Sequence, residues 1–314
     1  MARYLDPKND LPFKRIFGEH PDLLKSFLNA LMPLEADQQI ESLEYLPAEQ
    51  VPENPARKNS IVDVRCKDNF GRQFIVEMQM LWSSAFSARM LFNASKAYVR
   101  QLDENEHYSL LQPVYGLAIL NDVFDRKTPE FYHHYRIINC KNTEEIIRGL
   151  EFVLVELPKF VPGKWADRRM AVLWLRFLKE TERSRSEVSE DLKANDDIRR
   201  ALAICEEGAF TDAELEAYDK YLDIIRTEKS LLAESLAEGE AKGLIKGLIK
   251  GRVEGKAEGK AEGLAEGEAK GRAESLTAVV RNSRHSGLSV EQIRAITGLE
   301  MERIVEILRS GGEE

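Results

Sequence analysis

Two acids set in apolar company are the residues of this sequence most able to do chemistry. Asp63 stands between Val62 and Val64, and Glu77 opens the run Glu77-Met78-Gln79 inside a second stretch rich in β-branched residues. An unpaired charge in such a strand is costly, so two carboxylates placed there want a cation between them. Whether they can share one depends on hairpin register, because side chains alternate faces along a strand. The link Asp68-Asn69-Phe70-Gly71 sets that register. A two-residue loop, Asn69-Phe70, pairs 68 with 71 and leaves the acids on opposite faces. A loop that includes Gly71 in the left-handed conformation pairs 68 with 72, and therefore 63 with 77. The glycine predicts the second. Gln79 then lies beside Glu77 on one face, opposite Ile61. Asp63, Glu77 and the Met78 backbone carbonyl offer the oxygen ligands that Mg²⁺ takes, with Mn²⁺ and Ca²⁺ as the other ions such a set admits. A metal held so polarises a phosphoryl oxygen and activates an attacking water. A structural ion-pair system with Arg65 or Arg89 is the alternative use of the same acids.

The elements that must position these residues are legible around them. DLLKSFLNAL (22–31) puts apolar side chains at 23, 24, 27, 28 and 31, the one-face spacing of a short amphipathic helix that Pro33 stops. IESLEYL (40–46), SIVDVRCK (60–67) and RQFIVEMQM (72–80) read as strands, 91–102 as a helix, VYGLAIL (114–120) as a fully apolar strand, and EFVLVEL (151–157) as another. Strands that alternate with helices after an initial hairpin predict an α/β fold, a mixed sheet covered by helices. Residues 168–228 read as helices without a chemical message.

The order helix, strand, Asp-bearing strand, hairpin, Glu-x-Gln strand, helix, strand resembles the PD-(D/E)XK nuclease superfamily, the restriction-endonuclease-like fold. More narrowly, DLPFKRIFG (10–18), IVDVRCKDNFGRQFIVEMQ (61–79), the helix from Arg89 to Tyr98, VYGLAIL, and Leu-Pro-Lys-Phe at 157–160 are similar to the recombination-promoting nucleases, or Rpn proteins, also described as transposases. The resemblance covers residues 1–180. It implies a metal-dependent DNA endonuclease that hydrolyses phosphodiester bonds in DNA recombination or mobility, with Mg²⁺ as cofactor and DNA as partner. It implies further that Asp63 and Glu77 are metal-binding acids with the Met78 carbonyl as third ligand, and that Gln79 stands where the superfamily's usual lysine would be. A neutral amide orients a water or a phosphate but adds no positive charge to the transition state. Lys14, Lys96 and Lys58 are the lysines that could substitute. Asp10 and Lys14, in the DLPFK motif ahead of the first helix, are the further catalytic candidates. A solvated N-terminal turn, with Phe13 and Phe17 packed on the sheet, accounts for that motif equally well. The rival to the nuclease is a catalytically inactive DNA-binding or assembly protein on a nuclease fold.

Beyond residue 228 the character changes. Glycine recurs at every fourth position from Gly239 to Gly271, the second residue after each glycine is apolar, and the third is charged. Each interior glycine costs a helix roughly 1 kcal/mol relative to alanine. A period of four drifts by about 40° per repeat on a straight helix, so a fixed stripe calls for a right-handed supercoil. Two readings follow: a self-associating stalk that pairs subunits into a homodimer or higher oligomer through 239–273, and a flexible, partly helical linker. In residues 286–310, Ser289 reads as an N-cap, with a helix to Ile296, a turn over Thr297-Gly298-Leu299 and a second helix from Glu300. This is a helix-turn-helix candidate, although Glu300, Glu302 and Glu306 equip it poorly for a major groove. The expected division is a nuclease-like domain over 1–180, a helical extension over 181–228, the glycine tetrads over 229–274, and the helical hairpin over 275–314.

Composition narrows the setting. A net charge of −9 over 314 residues excludes a protein that coats nucleic acid by overall charge, so DNA must meet a local basic face. Arg89, Lys96 and Arg100 could form such an edge, or a solvated helix face. Three widely spaced cysteines give neither a disulfide framework nor a zinc spacing and read as reduced thiols. The adjacent His133 and His134 project apart and make no metal site. No apolar run approaches the roughly 18 residues of a membrane span. A bacterial cytoplasmic protein, associated with the nucleoid when on DNA, is the expectation.

Overall fold

The computed structural model describes residues 3–50, 60–165, 168–181 and 188–310. Contacts divide the chain into Met1–Ser230 and Leu231–Glu314.

In the first unit the elements are α1 (Asp10–Glu19), α2 (Pro21–Leu31), β1 (Leu43–Tyr45), β2 (Glu49–Gln50), β3 (Ser60–Ile61), β4 (Val64–Asp68), β5 (Gln73–Gln79), α3 (Ser84–Val99), β6 (Val114–Leu120), β7 (Tyr132–Asn139), β8 (Asn142–Glu156), α4 (Arg169–Glu180), α5 (Glu190–Lys193) and α6 (Asp196–Cys205). The hairpin closes as the glycine predicts. Gly71 is left-handed at φ 81°, the Asp68 N–H donates to the Arg72 carbonyl at 3.0 Å, and the ladder runs from Lys67 opposite Gln73 to Val64 opposite Val76. Asp68 caps its own loop: Oδ1 accepts from the N–H groups of Phe70 and Arg72, and Oδ2 accepts from the Arg72 guanidinium at 2.7 Å.

A six-stranded sheet has the order β1-β4-β5-β6-β8-β7, with β5, β6 and β8 parallel and the outer pairs antiparallel. One face packs under α1, α2, α4 and α6, where the rings of Phe17, Phe27 and Trp174 meet with centroids 4.4–5.6 Å apart over Val64, Phe74 and Val76. The other face carries α3, whose Ala94 and Ala97 lie on Ile75 and Val62, and whose Met90 lies on Ala118 and Leu120. Gly116 marks the closest approach there: a Cβ would stand 2.7 Å from Met90 Cε and 2.8 Å from Phe152 Cδ1.

Three sequence expectations are corrected. DLPFK does not precede the first helix; it opens it, because Asn9 caps α1 and Pro12 falls in the first turn, where its missing N–H is harmless. The strand expected over 60–67 is broken into β3 and β4, and β3 pairs with β2, so Ile61 lies in a separate two-stranded ribbon rather than opposite Gln79. The strand expected over 151–157 begins at Asn142 and is preceded by β7, giving a hairpin that projects exposed Tyr135, Ile137 and Ile147.

Helix α7 (Asp212–His285) includes the glycine repeat. In the second unit, α8 (Val290–Thr297) starts with the expected Ser289 cap, reinforced by Gln292 as a capping box, and ends on Gly298 at φ 71°. With α9 (Met301–Arg309) it forms a small core of Val280, Ile293, Ile304 and Ile307.

Gly116→Ala should destabilise the chain by about 1–3 kcal/mol through overpacking, and Gly71→Ala by about 1–2 kcal/mol through its left-handed backbone. Urea midpoints measure both, and an unchanged midpoint for Gly116→Ala would contradict the α3–β6 packing.

Candidate active site

The site begins just ahead of β4, at Asp63. On β5 the Gln73 N–H donates to Pro113 and the Gln79 carbonyl accepts from Asn121, so the odd-numbered residues bond to β6 and the even-numbered ones face β4. A continued ladder would have Met78 exchange both its backbone bonds with Val62. Val62 instead donates to the Ala48 carbonyl at 3.2 Å, and the Met78 N–H donates to Asp63 Oδ2 at 2.7 Å. The Met78 carbonyl is thereby left without the ladder donor it would have had. Val62 packs on the α3 side, although the alternation set by Val64 and Cys66 would put it on the other. The strand therefore reverses face at Asp63, and its carboxylate turns to the Met78 backbone. The register is the expected one, but the pairing of 63 with 77 is not made: the ladder stops one residue short.

Glu77 is 6% exposed and faces α3. Its Oε1 accepts from Asn93 Nδ2 at 3.1 Å, and its Oε2 lies 3.6 Å from Arg89 Nη2. Arg89 Nη2 donates to Gln79 Oε1 at 2.7 Å, while Gln79 Nε2 donates to the Leu81 carbonyl at 2.6 Å. Gln79 thus binds a cationic side chain without being one. Behind them Gln50 Nε2 donates to the Asn93 carbonyl at 3.4 Å, and Lys96 donates to the Gln50 carbonyl. Asn93 and Gln50 are buried, and Asn93 Oδ1 and Gln50 Oε1 have no hydrogen-bond partner among the described residues.

On the α1 side, Lys14 bonds Asp10 at 2.8 Å one helical turn apart. Their charges reach Asp63, Asp10 opposing its ionisation and Lys14 favouring it. Burial pushes the Asp63 carboxyl up to about 6 against the help of the Met78 N–H, and the Glu77 charge adds to the rise. Burial also raises Glu77, against Asn93 and Arg89, which stabilise its anion. Tyr221, in the early turns of α7, has its phenol raised by burial first and then by Asp10 and Asp63. It lines a cavity of about 400 Å³ with Asn9, Asp10, Ala217 and Tyr218.

The structure thus brings Asp63, Glu77, Met78 and Gln79 to one end of the hairpin, with Asp10 and Lys14 within electrostatic reach. Lys96 is turned to Gln50, and Lys58 lies outside the described residues. Arg65 donates to Gln73 at 2.8 Å, so of the two arginines considered as partners of the acids only Arg89 approaches them. His133 and His134 point apart, to Glu156 and Glu151. Among the described residues no three His, Cys, Asp or Glu side chains gather as a metal site. Two carboxylates with raised affinity for protons, beside a carbonyl freed from its ladder, are an all-oxygen set that suits a hard divalent cation.

A family model for PD-(D/E)XK nuclease family transposases matches residues 7–235. The chain belongs to this family. No curated protein and no solved structure matches it. The mixed sheet flanked by helices, with Asp63 just ahead of β4 and Glu77 on β5, is the restriction-endonuclease-like fold of this family, and it lies within the first unit. Sequence reasoning missed Asn93, Gln50 and Tyr221. A signal for Asn93 existed: Arg89 and Asn93 lie four apart on a helix, hence on one face, and that face meets the Glu77 side of the sheet. Nothing local in the sequence marks Gln50 or Tyr221.

A metal-free prediction follows from Asp63. The folded chain holds its proton up to about 6, against 3.8 for a free carboxyl, so it binds that proton more tightly than the unfolded chain does. The penalty for ionising it is complete above pH 6, declines as pH falls and is absent below pH 4. Asp63→Asn should therefore stabilise the chain in EDTA at pH 8 by ~1–3 kcal/mol, with no gain at pH 3.5. Urea unfolding at the two pH values reads this, and equal stability of variant and wild type at pH 8 would refute it.

Proposed function

We propose that this chain is a divalent-metal-dependent DNA endonuclease of the Rpn kind, in which Asp63, Glu77 and the Met78 carbonyl hold Mg²⁺ or Mn²⁺. The observation that carries this reading is the diversion of the Val62–Met78 ladder bonds, which sets a half-buried carboxylate and a freed carbonyl beside Glu77. The metal, when bound, would supply Lewis acidity toward a phosphodiester oxygen. Asn93 keeps Glu77 in one rotamer and favours its anion. Arg89, held by Gln79 and half-exposed, presents to a scissile phosphate the positive charge that Gln79 lacks. Lys14 and Asp10 adjust the charge at Asp63 from the α1 side. The helical hairpin over 275–314 and the pairing of subunits through the repeat belong to the same proposal, since cutting both strands of a duplex with one site per chain is simplest for two chains. DNA recombination or mobility in a bacterial cytoplasm is the setting this reading implies. No helix among the described residues is long and apolar enough to cross a membrane.

Supercoiled and linear DNA are incubated with the full chain in Mg²⁺, Mn²⁺ and EDTA. Nicking in metal alone, lost in Asp63→Ala and Glu77→Ala with their fold intact, is the expected result. Binding without cutting in either metal would replace the nuclease by a DNA-binding protein on its fold, the reading that the neutral Gln79 favours.

Arg89→Ala should lower the cleavage rate by about 10²-fold, the usual cost of removing one transition-state charge partner, and Arg89→Lys should recover part of it. A rate unmoved by Arg89→Ala would leave Gln79 without a cationic substitute.

A further inference from the structure

We infer that the glycine-repeat helix associates with the same segment of a second copy of this chain in parallel and in register, with the glycine columns facing each other. This rests on the self-association reading above and is independent of whether the site cuts DNA. It comes from charge. The columns one and three residues after each glycine flank the glycine face, and wherever both are charged within a repeat their signs oppose. Arg252, Lys256 and Lys260 in one column accompany Glu254, Glu258 and Glu262 in the other. Both columns then invert together, at Glu268 with Lys270 and again at Arg272 with Glu274.

Within one helix these charges are misplaced. Members of a repeat two residues apart project to opposite flanks and cannot pair, while i,i+4 neighbours in a column share a sign over Lys242–Lys246–Lys250 and over Glu254–Glu258–Glu262, which destabilises a lone helix. Ion pairs within residues 243–274 form, among the described residues, only where a column changes sign: Lys250 to Glu254 at 3.7 Å and Arg272 to Glu268 at 3.9 Å. The flanks are otherwise uncompensated and exposed.

A parallel two-fold pair sets one flank of each helix against the other flank of its mate, so Lys256 and Lys260 each lie between two glutamates of the second copy, and Glu254 and Glu258 each between two of its bases. An antiparallel pair centred on Gly255 sets like flanks together and brings Arg252 against Lys256 and Lys260 of the second copy, and Glu254 against Glu254 and Glu258. The glycines fit the same occupant: a Cβ built on any of them from Gly239 to Gly271 finds, beyond its own helical turn, nothing within 4 Å among the described residues. Leu244 and Leu248, 65–67% exposed, add apolar surface on one flank of the glycine face at the basic end of the tract.

The test uses the full chain in two charge variants and one cysteine pair. Glu254, Glu258 and Glu262→Lys makes both flanks basic and should weaken dimerisation, read by sedimentation equilibrium, by at least about tenfold. Adding Arg252, Lys256 and Lys260→Glu exchanges the signs and should restore it, because only a parallel pair regains complementarity. In a Cys140→Ser background, which leaves only the buried Cys66 and Cys205, Gly243→Cys should form a disulfide with its own copy on oxidation. A cross-link appearing only when Gly243→Cys is mixed with Gly267→Cys, or a wild-type dimer that the exchanged variant fails to restore, overturns the parallel register. A wild type that stays monomeric overturns self-association itself, and neither result touches the nuclease reading.

Discussion

The Met78 N–H has a carboxylate where a strand would have given it a carbonyl, and the geometry of the site descends from that exchange. A hydrogen bond to a charged acceptor contributes about 1.5–3 kcal/mol, and here it offsets only part of what burial costs the carboxylate, so Asp63 keeps its proton up to about 6. The loop closed by Gly71 brings the strands into the register that makes the exchange available. The defection of Val62 to Ala48 then empties the place that Asp63 fills. Had the ladder run on, Asp63 would be one more residue on the α3 face and the Met78 carbonyl would be spent on a neighbouring strand.

The two helical layers divide the electrostatics between them. From α3 come an amide and a guanidinium that favour the Glu77 anion. From α1 come an acid and a lysine, bonded to each other, that act on Asp63 in opposite directions. Burial raises the proton affinity of both acids, and at Glu77 an amide and a guanidinium oppose that rise, whereas at Asp63 the Met78 N–H is the chief opposition. This asymmetry, rather than the count of acids, distinguishes the arrangement from a structural salt-bridge pair.

Much of this was legible in the sequence, and for local reasons. Gly71 decides a loop, an unbroken apolar heptad decides β6, and Ser289 with Gly298 brackets α8, each through the conformational demands of a few residues. The break at Val62–Asp63 was not legible, because SIVDVRCK is β-forming throughout and only the competing bond to Ala48 interrupts it. Helix α1 was obscured by Pro12, which reads as a breaker until Asn9 is recognised as the cap. The β7–β8 hairpin escaped because YHHYRIIN is half-buried over its first three residues and exposed over the rest, so it shows no alternation to detect. The support of Glu77 by Asn93 depends on how α3 lies across the sheet, which no single element encodes.

Residues 3–6 form bonds whose partners lie at the far end of the first unit. The Glu207 N–H reaches the Arg3 carbonyl, the Leu5 N–H reaches Cys205, and the Asp6 N–H donates to the Tyr218 hydroxyl 212 residues later. During synthesis at ~5–20 residues per second, some tens of seconds separate the emergence of the two sides. Through that interval residues 3–6 lack these partners, and the bonds that tie the start of the chain to α6 and the first turns of α7 close last.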